Sequence, residues 1–185
     1  MLKKIVILGP ESTGKSTLSA MLADHYETTW CPEFAREYLQ TNGSSYEYED
    51  LLTIAKGQLA LEDEYAQQLE EQSLPLLEAG GKIPLFIDTD MYVMKVWCEF
   101  VFNQCHRFIL EEISKRKYDL YLLCNIDLPW VEDELREYPD ISSRKKLYKI
   151  YTDLLINQST PWVEVKGDYE QRFKTAVAAV DQLLG

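Results

Sequence analysis

The sequence predicts an α/β sandwich with a parallel, five-stranded sheet and helices on both faces. Short apolar runs of strand length alternate along the chain with longer segments in which apolar residues recur every three or four positions. Strands that alternate with helices form parallel sheets, because each crossover helix returns the chain to the same end of the sheet. The chain has 185 residues, enough to bury its own core, and we expect a single domain over residues 1–185.

The first strand, predicted over residues 5–8 (Ile-Val-Ile-Leu), leads directly into a glycine-rich loop. Residues 9–16, Gly-Pro-Glu-Ser-Thr-Gly-Lys-Ser, fill every fixed position of the phosphate-binding spacing G-x-x-x-x-G-K-S/T. The two glycines permit backbone angles that turn successive N–H groups toward a phosphate. Lys15 suits the β- and γ-phosphates, and the hydroxyl of Ser16 suits Mg²⁺. The complete match, between a strand and a helix, favours this site over a chance glycine-rich turn.

This loop predicts binding of a nucleoside triphosphate together with Mg²⁺. The motif alone does not define what is done with the triphosphate. The predicted nucleotide-binding residues of the loop are Gly9, Glu11, Ser12, Thr13, Gly14, Lys15, Ser16 and Thr17.

The next three elements follow from apolar spacing and from one proline. Residues 14–25 are predicted to form the first helix, because their apolar residues recur at helical spacing. Residues 28–31 are a short second strand, which Pro32 ends. Residues 33–39 are predicted to be a helix with this proline in its first turn.

A long helical region, residues 46–77, precedes the third strand. Gly57 and Pro75 argue against one unbroken helix there. The third strand, residues 83–87, is a continuous apolar run. The later predicted elements are helices at 91–103 and 107–115, a fourth strand at 118–124, a polar segment at 127–140, a helix at 141–158, a fifth strand at 162–165 and a closing helix at 168–184.

By analogy with small P-loop kinases, we predict the strand order 2-3-1-4-5 and a lid after strand four. The fold class is therefore a P-loop NTPase three-layer sandwich. In such a sheet the ligands bind outside the carboxyl ends of the strands, so we expect the functional residues along that rim.

Two aspartates follow the third strand. Asp88 ends an apolar run, as a Walker B aspartate does, and its carboxylate would bind Mg²⁺ opposite Ser16. Asp90 has two open interpretations. It suits an acceptor hydroxyl, as ligand or general base, and it equally suits the N-cap of the helix that follows.

Glu33 and Arg36 are three residues apart and share a helix face near the end of strand two. A carboxylate there can orient or deprotonate an alcohol, and a guanidinium can hold a phosphate or a carboxylate. We predict both as acceptor-binding residues. The alternative is a local ion pair on an exposed helix.

The segment after strand four leads into the one place where cations crowd this acidic chain. In small-molecule kinases a lid at this point closes over the phosphates and supplies arginines. Arg136 and Arg144 are the candidates.

Asp168, after strand five, lies where adenine rests in this architecture by analogy, although it also suits a helix cap. The predicted catalytic set is Lys15, Glu33, Asp88, Asp90 and Arg136.

The bulk properties favour a small-molecule enzyme. A net charge of −12 argues against broad binding of nucleic acid or of anionic membranes. The chain shows no signal peptide and no apolar run of transmembrane length, so we expect a cytoplasmic protein.

The scattered cysteines predict free thiols rather than a zinc site or a disulfide framework. These cysteines are Cys31, Cys98, Cys105 and Cys124. The sequence does not indicate an oligomeric state.

Together these residues resemble the ribosylnicotinamide kinase domain of the bacterial NadR-type proteins, a branch of the P-loop kinases. The matching segments span nearly the whole chain: G-P-E-S-T-G-K-S-T-L at 9–18, C-P-E-F-A-R-E-Y-L at 31–39, D-T-D at 88–90 and P-W-V-E-D-E-L-R at 129–136. Glu134 departs from the family pattern, which usually has glycine there, so a stiffer lid turn is expected. No H-x-G-H motif is present, so adenylyltransferase activity is not expected of this chain.

The resemblance implies ATP-dependent phosphorylation of the 5′-hydroxyl of nicotinamide riboside. It assigns Lys15 and Ser16 to ATP and Mg²⁺, Asp88 to the metal, and Arg136 to the lid. It assigns Glu33, Arg36 and Asp90 to the riboside. Aromatic residues can supply a stacking wall for a cationic pyridinium. The candidates for that wall are Tyr38, Tyr46, Tyr48, Tyr92, Trp97 and Trp130, although we expect most of these rings in the core.

Two alternatives stay open. A kinase for another nucleoside, nucleotide or metabolite would keep the same loop, Asp88 and lid. A regulatory ATPase or nucleotide switch belongs to a different class, and hydrolysis without an acceptor would indicate it. A GTPase is disfavoured because residues 124–127, Cys-Asn-Ile-Asp, do not form an N-K-x-D base reader.

Overall fold

The computed structural model describes all 185 residues and contains one parallel sheet of five strands with the order β2-β3-β1-β4-β5. The predicted order is confirmed. The strands are β1 (Leu2–Leu8), β2 (Trp30–Cys31), β3 (Ile83–Asp88), β4 (Leu120–Cys124) and β5 (Trp162–Val165). The helices are α1 (Lys15–His25), α2 (Phe34–Asn42), α3 (Tyr48–Gln72), α4 (Leu74–Glu78), α5 (Met91–Phe102), α6 (Arg107–Lys115), α7 (Ile141–Ile156) and α8 (Tyr169–Leu184).

Strand β1 lies at the centre of the sheet and divides the core into two layers. Side chains alternate along a strand, so Ile5 and Ile7 face one side while Val6 and Leu8 face the other. The side of Ile5 packs against α1 and α8, and the side of Val6 packs against α3, α5 and α7. All four side chains are fully buried. The three-layer sandwich expected from the sequence is therefore present.

Helix α3 differs from the sequence prediction, because it continues through Gly57 without a break. The glycine serves packing rather than termination. A Cβ at Gly57 would lie 2.2 Å from Cε1 of Phe34, so only glycine allows the first residue of α2 to pack this closely against α3. The break at Pro75 is confirmed, since the proline lies in the first turn of the separate helix α4.

Strand β2 is shorter than predicted, and α2 begins later than predicted. Only Trp30 and Cys31 pair with β3, and Glu33 is the N-cap of α2, so Pro32 precedes the helix instead of lying in its first turn.

None of the eight helices combines the length and the apolar composition that a membrane crossing requires.

Candidate active site

The loop between β1 and α1 has the backbone of a phosphate-binding loop. Gly9 has φ of 141°, and a Cβ there would lie 2.7 Å from the carbonyl oxygen of Cys124 on β4. Gly14 has φ of 79° and is the N-cap of α1, so the N-terminus of this helix opens toward the loop. Inside the loop, the hydroxyl of Thr13 donates to the carbonyl of Pro10 at 2.7 Å. The Lys15 ammonium donates to that same carbonyl at 3.2 Å and lines the cavity described below.

Asp88 at the end of β3 faces the start of α1. The hydroxyl of Ser16 donates to Oδ2 of Asp88 at 2.5 Å, while Oδ1 is buried and has no hydrogen-bond partner. Burial raises the pKa of Asp88 to about 6, and the nearby charge of Lys15 opposes this rise. A hydroxyl and a carboxylate with a free, buried oxygen are hard oxygen ligands, the type that Mg²⁺ binds. The residues present therefore fit the predicted metal site.

Asp90 caps a helix instead of lining the cavity. Its Oδ1 accepts the backbone N–H groups of Tyr92 and Val93 at 3.0 and 3.3 Å, which is the N-cap geometry for α5. Its side chain is buried, and burial raises its pKa to about 7. Of the two interpretations of Asp90, the structure supports the cap and not contact with an acceptor.

Asp168 is likewise a helix cap. Its Oδ1 accepts the backbone N–H of Gln171 at 2.9 Å, and the Gln171 side chain accepts the backbone N–H of Asp168 at 3.0 Å. This reciprocal pair is a capping box at the start of α8. Asp168 does not line the cavity.

One cavity of about 270 Å³ runs from the phosphate-binding loop to the space between α2 and α5. One end is polar and contains the loop from Gly9 to Thr17. The other end is apolar and aromatic. Glu33, Arg36 and Arg136 also line it. The residues of the apolar end include Ala35, Leu39, Tyr46, Val93, Val96, Trp97, Phe100, Val101, Tyr138, Leu147 and Tyr151.

Glu33 and Arg36 both line this cavity, as predicted, but they do not pair with each other. The guanidinium of Arg36 instead contacts the carboxylate of Asp133, with Nη2 and Oδ2 3.2 Å apart. Oε1 of Glu33 accepts a long hydrogen bond of 3.5 Å from the hydroxyl of Thr89. Thr89 has φ of 81°, an unusual conformation for a β-branched residue and one that concentrates at functional sites. The local ion pair considered for the Glu33 helix is therefore absent.

The segment between β4 and α7 forms the predicted lid and contacts the phosphate-binding loop at two points. Ser12 Oγ accepts the backbone N–H of Val131 at 3.0 Å, and the carboxylate of Glu11 accepts the backbone N–H of Glu137 at 2.9 Å. Burial raises the pKa of Glu11. Nη1 of Arg136 donates to the carbonyl of Val131 at 2.5 Å and lies 3.5 Å from Ser12 Oγ. Arg136 is thus the lid arginine next to the loop.

Arg144 is not among the residues that line the cavity. Its side chain is buried and donates to the carbonyls of Leu128 and Ser12 at 3.3 and 3.5 Å. The guanidinium lies 5.7 Å from the ring centre of Trp130, and its Nε has no partner. Burial lowers its pKa. Arg144 supports the base of the lid.

Glu134 was expected to stiffen the lid turn. It lines the cavity and is not among the residues with positive φ, so the turn requires no glycine at this position.

The aromatic wall was only partly recognised from the sequence. Of the aromatic candidates, Tyr46 and Trp97 line the cavity, and Phe100, Tyr138 and Tyr151 were missed. Trp97 Nε1 donates to the hydroxyl of Tyr46 at 2.8 Å, and this hydroxyl donates to Glu137 Oε2 at 2.8 Å. The helical spacing of residues 93, 96, 97, 100 and 101 on α5 is the signal that indicates one common face.

Arg172, one turn after Asp168, contacts the phosphate-binding loop. Its side chain is buried in α8 and donates to the carbonyls of Thr13 and Asn125 at 2.9 Å each. It also pairs with the carboxylate of Asp127. Arg172 therefore joins the phosphate-binding loop to the end of β4.

The loop, the aspartate at the end of β3 and the lid define a P-loop nucleoside-triphosphate-binding protein. The chain belongs to the AAA_28 family, described as an AAA domain, whose model matches residues 4–172.

Two curated proteins share 30% identity with the chain over 188 aligned residues. Both are named trifunctional NAD biosynthesis/regulator protein NadR, one from Salmonella typhimurium and one from Escherichia coli. The match includes 99% of this chain but only 43% of each relative, so the chain spans less than half the length of these proteins.

Solved structures share the fold. A crystal structure of NadR in complex with NR superposes with a TM-score of 0.77 at 23% identity, covering 99% of this chain and 51% of that one. Thymidylate kinase from Ehrlichia chaffeensis superposes with a TM-score of 0.63 at 12% identity, covering 97% of this chain and 98% of that one. These likenesses confirm the P-loop kinase-like fold.

Proposed function

We propose that this protein is an ATP-dependent kinase that phosphorylates the 5′-hydroxyl of nicotinamide riboside and yields nicotinamide mononucleotide. The observation that carries the proposal is the single cavity that contains a phosphate-binding loop, the Glu33 carboxylate and an aromatic wall. The match to NadR proteins over 99% of the chain supports the same assignment, and a NadR structure contains NR.

The phosphate end of the cavity supplies positive charge. Lys15 and the N–H groups of the loop would bind the β- and γ-phosphates, and Arg136 from the lid would neutralise charge that develops during transfer. Ser16 and Asp88 would hold Mg²⁺, which, when bound, bridges and neutralises phosphate oxygens. A bound analogue, AMP-PNP, in a second NadR structure supports ATP as the donor.

The other end would hold the acceptor. Glu33 also lines this cavity and carries the carboxylate that would orient or deprotonate the acceptor hydroxyl. Tyr46 and Trp97 would stack on the pyridinium ring, because aromatic faces attract cations. The net charge of −12 favours a cationic acceptor over an anionic one. Small-molecule acceptors and no nucleic-acid partner are part of this proposal.

A kinase for another nucleoside is the second candidate. The superposition with a deoxyadenosine kinase from M. mycoides, with a TM-score of 0.58, favours it only at the level of the fold. A regulatory ATPase would not need the apolar, aromatic end of the cavity.

ADP release in the presence of Mg²⁺, ATP and a panel of ribosides tests the proposal. We expect release with nicotinamide riboside, little without an acceptor, and loss of activity in Lys15→Ala. Lys145→Ala is the matched control, since Lys145 is an exposed lysine of α7 outside the cavity. Release with a different riboside alone would move the proposal to that acceptor. Hydrolysis that is independent of any acceptor would favour the ATPase.

A further inference from the structure

Asp133 makes three interactions at the tip of the lid. Its Oδ1 accepts the backbone N–H of Leu135 at 3.1 Å, and its backbone carbonyl accepts the N–H of Arg136 at 3.1 Å. These two bonds form a side-chain-closed turn of the kind that aspartate stabilises. Its carboxylate also pairs with the guanidinium of Arg36, at 3.2 Å for one oxygen and 3.5 Å for the other.

The partners of Asp133 lie at different parts of the cavity, but Asp133 itself does not line it. Arg36 belongs to α2, the helix that begins directly after Glu33 on the acceptor side. Arg136 belongs to the lid and lies beside Ser12 on the phosphate side. The backbone N–H of Leu135 and the guanidinium of Arg36 hold the pKa of Asp133 below its usual value, so the carboxylate is charged at neutral pH. Asp133 therefore connects Arg36, through its carboxylate, to the backbone of Arg136, through its own carbonyl.

We propose that Asp133 is a positioning residue that holds the lid turn against α2 through Arg36 and thereby fixes Arg136 over the phosphate-binding loop. This inference rests on the proposed kinase function. The physical reason is that the lid lacks helix and strand between β4 and α7, so its shape depends on a few side-chain contacts. A misplacement of about 1 Å in a transition-state group can lower the rate about 100-fold.

Two substitutions separate the turn from the ion pair. Asp133→Asn retains an oxygen that can accept the N–H of Leu135 but loses the charge that pairs with Arg36. Asp133→Ala loses both. Glu132→Gln is the matched control, because Glu132 is the neighbouring lid carboxylate, is exposed and has no hydrogen bond or ion pair.

We expect kcat to fall in both variants, less in Asp133→Asn than in Asp133→Ala. The loss in the alanine variant should be about 10- to 100-fold. The KM for ATP should change little, because the phosphate-binding loop is intact. Glu132→Gln should resemble the wild type. An alanine variant with wild-type kcat, or one in which only the KM for ATP rises, would overturn the proposal.

A double-mutant cycle tests whether Asp133 acts through Arg36. In an Arg36→Met background, Asp133→Asn should have little further effect on kcat, since the ion pair is already absent. Equal fold-changes in both backgrounds would show that the ion pair does not contribute.

Hydrogen exchange gives a measurement that does not depend on the acceptor. Asp133→Ala should increase the exchange rates of the Leu135 and Arg136 amides, while Glu132→Gln should not. If the wild type phosphorylates no riboside, the proposed function fails. The exchange rates then still test whether Asp133 holds the lid turn in place. If exchange at these amides is the same in wild type and Asp133→Ala, the proposal about Asp133 fails even in an active kinase.

Discussion

Ser16 and Asp88 are joined by a 2.5 Å hydrogen bond between the first turn of α1 and the end of β3. The second carboxylate oxygen of Asp88 is buried without a partner. A buried, unpartnered oxygen is costly, and Mg²⁺ binding at this position would offset that cost. The pair thus marks where the phosphate-binding loop meets the proposed metal site.

Substitution of Asp88 should therefore remove activity without unfolding the protein. We expect Asp88→Asn to lower kcat by about 100-fold or more and to shift the Mg²⁺ titration to higher concentrations. Asp90→Asn is the matched control, because asparagine also caps helices well and the Asp90 side chain accepts N–H groups of α5 instead of facing Ser16. Steady-state kinetics over a Mg²⁺ series measure both variants. If Asp90→Asn lost most of its activity while Asp88→Asn behaved like the wild type, Asp90 would return to the catalytic set.

Glu33 is the carboxylate that we propose as the general base. Glu33→Gln should lower kcat by about 100- to 10,000-fold and leave the KM for ATP nearly unchanged, since the amide cannot take the proton of the acceptor. Glu37→Gln on the same helix provides the comparison, because Glu37 is exposed and outside the cavity. Initial rates with saturating ATP measure the difference. Wild-type rates in the glutamine variant would mean that Glu33 does not accept the proton.

The aromatic wall should affect the acceptor and not ATP. Trp97→Leu removes an indole that lines the cavity and its hydrogen bond to Tyr46. We expect the KM for nicotinamide riboside to rise about 2- to 30-fold, equivalent to a cation–π contribution of about 0.5–2 kcal/mol. Trp162→Leu is the control, because the indole on β5 is half-buried outside the cavity. An equal rise in the KM for ATP would argue against an acceptor-specific wall.

Gly57 should be intolerant of a side chain, although glycine is a poor helix former. Gly57→Ala would gain about 0.5–1 kcal/mol in helix propensity, but its Cβ would lie 2.2 Å from the ring of Phe34. Overpacking of this kind costs about 1–3 kcal/mol, so we expect a net loss in the free energy of unfolding. Denaturant titration measures it. Adding Phe34→Leu should recover part of the loss, and a stabilised Gly57→Ala single variant would contradict the packing argument.

The four cysteines should differ in reactivity. Cys31, Cys98 and Cys124 are fully buried, and burial raises the pKa of each thiol to about 12. At pH 8 they are therefore protonated and inaccessible, whereas Cys105 is half-buried. We expect a thiol reagent to modify at most Cys105 in the folded protein and all four thiols after unfolding. Cys105→Ser should abolish the labelling of the folded protein, and rapid labelling of Cys124 would contradict this order.

Local patterns in the sequence were sufficient for the strands, for most helices and for the phosphate-binding loop. Residues 9–16 act through their own backbone, so their spacing alone predicts their shape. The interruption at Pro75 was predicted for the same reason, because proline acts on its own helix. The doubt about Gly57 was wrong because the reason for that glycine lies on another helix, in the ring of Phe34.

Site residues could be identified by type but not by the direction of their side chains. Asp88 and Asp90 are two residues apart at the end of one strand, and the sequence left Asp90 with two roles. The structure turns Asp90 into the first turn of α5 and leaves Asp88 beside Ser16. Arg136 and Arg144 were both candidates for the lid, and only Arg136 lines the cavity.

The sequence alone determined the alternation of strands and helices and the phosphate-binding loop, because periodicity and backbone-driven motifs are properties of neighbouring residues. The strand order was predicted by analogy with small P-loop kinases. The tertiary structure decided which charged side chains face the cavity and which partners they take. The Arg36–Asp133 pair spans 97 positions along the chain, and the bond of Arg172 to the Thr13 carbonyl spans 159. Such contacts depend on how distant elements pack, which no local spacing encodes.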